Sequence, residues 1–92
     1  MRVVWDPSKA RANHLKHGIR FSDAEGVLFD PQAITREDVT STAEQRFVTI
    51  GVDHVGRVVV VVYVPRGETL RLISARAATR KERAQYAEGI RL

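Results

Sequence analysis

"RVVVVVYV", residues 57–64, is the stretch whose reading decides the fold. Five consecutive valines leave no polar side to turn toward water, and β-branched side chains favour the extended backbone. The run is far too short to span a bilayer, so it reads as a strand buried on both faces at the centre of a sheet. Turn signals bound it, "DHVG" (53–56) before and "PRGE" (65–68) after. Beyond them lie "RFVTIGV" (46–52) and "TLRLISAR" (69–76), both rich in β-formers. Loops this short imply an antiparallel meander.

Further out, "QAITRE" (32–37) reads as an edge strand and "VVW" (3–5) as a short first strand. Asp6 before Pro7 marks a helix start, a carboxylate N-cap with proline at the first helical position, and Gly18 marks its stop near His17. Trp5 can pack on Ala10 across this start. "SDAE" (22–25) has the spacing of a capping box and opens a second helix through Phe29, ended by Asp30–Pro31. "TRKE" (79–82) is another capping box and opens a C-terminal helix over 80–88. The expectation is a single α+β domain over residues 1–92. Its antiparallel four- to five-stranded twisted sheet packs with helices in the order β-α-α-β-β-β-β-α. The short helices roof one face of the valine strand; the other face needs the C-terminal helix or a second chain.

Composition narrows the function. With no cysteine, disulfides and thiolate metal sites are excluded, which suits a reducing cytoplasm. The N-terminal residues hold no long apolar segment, so neither a signal peptide nor a membrane anchor is expected. The net charge is +4, but its distribution is uneven: −1 over residues 1–45 and +5 over 46–92. Arg71, Arg76, Arg80, Lys81 and Arg83 crowd one strand-to-helix corner, opposed there only by Glu82. Like charges gathered this way point to an anionic partner.

No phosphate-binding or dinucleotide glycine pattern exists, and no G-x-S-x-G elbow; Ser74 lies within a strand. His14 and His17 share a helix face without a carboxylate at ligand spacing, so no metal and no cofactor is assigned. On strand 69–76 Arg71 lies on the face opposite Arg76, so the strand alone cannot present both to one ligand, whereas Arg76 can join Arg80 and Arg83 around the corner. Such a set suits RNA cleavage without a metal. Arginines stabilise charge on the phosphate, and a histidine, lysine or glutamate moves the protons. Lys16, His17 and Glu44 are the candidates for proton transfer, beside Arg46 and Arg76. Each has a plainer reading as well: helix-face solvation for Arg80 and Arg83, a surface bridge for Glu44 and Arg46, packing for Tyr63 and Tyr86.

The motifs "WDPSKARANHLKHGIRFSDA", "EQR", "VVYVPR" and "RLISARAATRKERAQY" resemble the BrnT toxins from Val4 to Tyr86. The anchors are Lys16–His17–Gly18 and the I-S-A-R-x-A run at Ile73–Ala78. The resemblance implies a RelE-like fold and a type II toxin that cleaves RNA and arrests growth. It also implies a BrnA-type antitoxin that wraps the toxin and supplies the DNA-binding end, so that contact with DNA is indirect. The matching polar positions are Trp5, Asp6, Lys9, Asn13, Lys16, His17, Glu44, Arg46, Arg66, Arg71, Arg76, Glu82 and Tyr86. The expected catalytic set is then Lys16, His17, Glu44, Arg46 and Arg76. Arg66, Arg71, Arg80, Lys81, Arg83 and Tyr86 are the expected RNA contacts. The alternatives are a basic nucleic-acid-binding module without catalysis, and a structural subunit whose open sheet face needs another chain.

Overall fold

The valine run lies where its two apolar sides require. In the computed structural model, which describes residues 1–40 and 44–89, it forms most of β4 (Val58–Arg66), third of five strands in the order β1-β5-β4-β3-β2. The others are β1 (Arg2–Val4), β2 (Ile34–Asp38), β3 (Arg46–Val52) and β5 (Thr69–Ala77). Helices α1 (Pro7–His17) and α2 (Phe21–Ala24) and a 3₁₀ turn (Glu25–Phe29) separate β1 from β2, and α3 (Arg80–Glu88) ends the chain. Among the described residues no helix is long and apolar enough to cross a membrane.

All but one of the helix-end signals act as expected. The Asp6 side chain accepts a hydrogen bond from the Ser8 amide, and Gly18 closes α1 in the left-handed conformation at φ 72°. Thr79 and Glu82 cap α3 reciprocally. The expected capping box at Ser22 does not form: α2 starts one residue earlier, at Phe21, after Arg20, with no side-chain cap. The burial of Phe21 and Ala24 sets that start. The expected second helix is divided, its latter half winding as the 3₁₀ turn. Here Gly26 presses against the β3–β4 turn so closely that a Cβ would stand 2.8 Å from the His54 amide nitrogen.

The sheet is mixed, which corrects the antiparallel expectation. Strands β2 to β5 form the antiparallel meander, but β1 runs parallel to β5, Arg2 opposite Thr69. Short loops set strand direction only between consecutive strands. A pair of helices follows β1, so nothing local fixes its direction against β5. The β4–β5 turn is also tighter than expected, since β4 continues through Pro65 and Arg66.

Two cores lie on opposite sides of β4. On the first face Ile19, Phe21, Ala24 and Val27 from the helical segment pack on Val59, Val61, Leu72 and Ala75. On the second Val48, Ile50, Val60 and Ala78 form a smaller core that Tyr86 of α3 covers. The C-terminal helix is therefore the cover that the second face needed, but α3 buries none of its own residues fully.

Where β1 ends, Asn13 of α1 continues its role. Its amide donates to the Ala75 carbonyl at 2.8 Å and its carbonyl accepts from the Ala75 amide at 3.0 Å, as a neighbouring strand would. A third bond reaches the Ile19 carbonyl at 3.0 Å. Buried backbone groups at a strand edge need such partners. Asp30 does the same for β3, accepting from the Val52 amide at 2.8 Å, and its carboxylate also receives the Tyr86 hydroxyl at 2.6 Å.

Candidate nucleic-acid interface

Strand register determines which side chains share a face, because paired residues of an antiparallel ladder point the same way. Val60 pairs with Arg76 and Val62 with Ser74, but Tyr63 pairs with Leu72, leaving Ile73 as an extra residue on β5. This β-bulge shifts the alternation by one residue. Arg71, paired with Val64, therefore lies on the same face as Arg76, not the opposite one. The expectation that these two arginines face opposite ways is overturned: they share one face.

The same face gathers further cations. Arg36 pairs with Val48 and Asp38 with Arg46. One step beyond the Phe47–Tyr63 pair, Arg46 stands level with Val64. Val64 is only 3% exposed, although α3 covers the other end of this face. Its ladder neighbours on this face are the Arg46 and Arg71 positions, whose long aliphatic stems are suited to covering an apolar side chain. The Arg46 Nε atom is itself buried and has no hydrogen-bond partner among the described residues. A buried N–H without an acceptor is costly, and an anionic ligand would relieve it. Asp38, next to it, is held below the usual carboxylate range, first by the Thr40 hydroxyl and further by Arg36 and Arg46.

At the corner the cations are less free than their sequence suggests. Arg76 donates twice to Glu82, Nη1 to Oε1 at 2.7 Å and Nη2 to Oε2 at 2.9 Å. Glu82 consequently has its carboxyl lowered to about 2, the Arg76 hydrogen bonds being the largest cause, and Arg76 is raised in turn. Arg83 donates to the Ala78 carbonyl at 2.9 Å, while Arg80 and Lys81 are exposed on α3. Tyr86 holds α3 to Asp30. Glu44 pairs with Arg66 at 3.1 Å rather than with its sequence neighbour Arg46.

Helix α1 supplies the remaining groups. Lys9, Ala12, Asn13, Lys16 and His17 line a shallow cleft against Ile73 and Ser74, at the stretch of β5 that β1 leaves unpaired. The fold thus brings Lys16 and His17 to the bulge, between the levels of Arg71 and Arg76. Among the described residues no three His, Asp or Glu side chains stand together as metal ligands.

A family described as "Ribonuclease toxin, BrnT, of type II toxin-antitoxin system" matches residues 5–82, from Trp5 to the carboxylate that binds Arg76. The chain belongs to the BrnT toxin family. A crystal structure of the Brucella abortus ribonuclease toxin BrnT superposes with a TM-score of 0.64 at 30% identity, over 87% of this chain and 99% of that one. No curated protein sequence matches. Sequence alone does not single out Asp30, which holds the Val52 amide and the Tyr86 hydroxyl, or Ser74, which lies on the arginine-bearing face. Asp30 was legible only as a helix stop, and Ser74 only as a strand residue inside the I-S-A-R anchor.

Proposed function

We propose that this BrnT protein is an endoribonuclease that needs no metal, and that RNA lies across the arginine-bearing face of the sheet. The observation carrying this reading is the bulge at Ile73, which sets Arg71 and Arg76 on one face with Arg46. The RNA 2′-oxygen attacks the adjacent phosphorus and the bond to the 5′-oxygen breaks, leaving a 2′,3′-cyclic phosphate and a 5′-hydroxyl. The arginines stabilise the charge that builds on the phosphate, and guanidinium is suited to this by its permanent charge and forked donors. Lys16 and His17, in the cleft beside the bulge, are the pair that takes the 2′-proton and protonates the leaving oxygen. Glu44 instead holds Arg66.

The partner in this reading is an antitoxin of the BrnA type, which covers part of the basic surface and carries the contact with DNA. The RelE-like label fits the same picture, a sheet face with cations around a phosphate, and the compartment is the cytoplasm. The test is incubation of the purified protein with labelled RNA in excess chelator. The expected products end in 2′,3′-cyclic phosphate, and Arg71→Ala slows cleavage on the order of 100-fold while the circular dichroism spectrum is unchanged. RNA left intact at excess protein, or cleavage restored only by added divalent metal, would overturn the reading.

A further inference from the structure

The I-S-A-R anchor contains one polar side chain that no role above uses. Ser74 pairs with Val62, so it faces the same side as Arg71 and Arg76, and the bulge places it between them. Successive same-face positions on a strand are about 7 Å apart, so the hydroxyl has a guanidinium-bearing position on either side. It also lines the cleft with Lys16 and His17. The residue is half-buried, and among the described residues its hydroxyl has no hydrogen-bond partner.

A serine is a poor choice for a strand on packing grounds alone. Valine or threonine would suit the backbone better, and the neighbours across the ladder are valines. We infer that Ser74 is a phosphate-binding residue, its hydroxyl donating to a non-bridging oxygen of the scissile phosphate between Arg71 and Arg76. The inference rests on the ribonuclease reading for which phosphate is meant, but the hydroxyl's contact with an RNA backbone is separable from cleavage. Serine's small size fits this role. It leaves room for the phosphate to come down onto the sheet between two long arginines, and its rotating O–H can follow the oxygen as the phosphorus changes shape. The bulge is then the device that assembles the site, because without it Arg71 would point into the opposite core.

The test compares Ser74→Thr, which keeps the hydroxyl, with Ser74→Val, which has nearly the same shape without it. Both should melt at or above the wild-type temperature, since β-branched residues suit a strand. Ser74→Thr should cleave within about threefold of wild type, whereas Ser74→Val should lose on the order of 10- to 100-fold, the range for a hydrogen bond to a charged group. Replacing one non-bridging oxygen of the scissile phosphate by sulfur should slow the wild type more than Ser74→Val, in which only the arginine contacts remain to be weakened. Binding of a non-cleavable 2′-deoxy oligonucleotide should weaken in Ser74→Val and not in Ser74→Thr. Equal cleavage and equal binding by the two variants would overturn the inference. So would an early-melting Ser74→Val whose losses follow its unfolding. If the wild type binds the deoxy oligonucleotide but cleaves no RNA, the ribonuclease reading fails, and the binding comparison still decides Ser74.

Discussion

Replacing Glu82 by glutamine should weaken the fold and strengthen the grip on RNA, two effects of opposite sign from one missing charge. Glutamine keeps an acceptor for the Thr79 amide, so the α3 cap survives, but the two charge-assisted bonds from Arg76 lose their anion. The Glu82 carboxyl is lowered from the usual 4.5 to about 2, chiefly by the Arg76 hydrogen bonds and in part by those with Thr79, so the full shift is an upper bound for the pair. At about 1.4 kcal/mol per pH unit the full difference is about 3 kcal/mol. The Arg76 side chain is 41% exposed, so water screens the pair and its effective contribution is about 1–2 kcal/mol. A carboxyl with a depressed folded-state value contributes stability that is fully present above pH 4.5 and lost as pH falls toward 2. The variant should therefore melt about 4–16 °C lower than wild type at neutral pH. That difference should close as the solution is acidified through this window. Arg76, released from Glu82, is then free for a phosphate. Removing an anion about 4 Å from the ligand is worth about 1 kcal/mol in water, or roughly fivefold in affinity at low salt. Fluorescence anisotropy with a 2′-deoxy oligonucleotide reads this directly. Unchanged or weaker binding would mean that Arg76 serves only to tie β5 to α3. An unchanged melting temperature would refute the stability argument.

Two further outcomes test the scaffold. Asn13→Ala removes three hydrogen bonds and leaves both polar groups of Ala75 without partners in a buried place, which should cost about 2–4 kcal/mol in urea denaturation. Gly26→Ala forces a methyl group against the His54 backbone and should cost about 1–3 kcal/mol by the same measurement, with the β3–β4 turn displaced.

What the sequence by itself determined was whatever neighbours within a few residues decide. Asp6, Gly18 and the Thr79–Glu82 pair mark helix ends because their bonds close within one turn. The valine run marked the central strand because it offers no polar side in any register. Where buried contacts compete with such local signals the signals lose: Ser22 has a capping spacing, yet Phe21 and Ala24 set the start of α2 by their burial. Pairing between distant strands was decided only by the tertiary structure. The parallel setting of β1 on β5 depends on which edge is left open after the meander forms. The Ile73 bulge, invisible in composition, moves Arg71 to the other face and so creates the cationic surface. The cation cluster was legible, but its main relief was hidden in a residue with a second duty, since Glu82 both caps α3 and binds Arg76. Asn13 likewise reads as an ordinary helix residue until the fold leaves Ala75 at an unpaired edge. Hydrogen bonds that close within four residues are written in order along the chain, whereas those closed over sixty residues depend on how the two cores pack against β4.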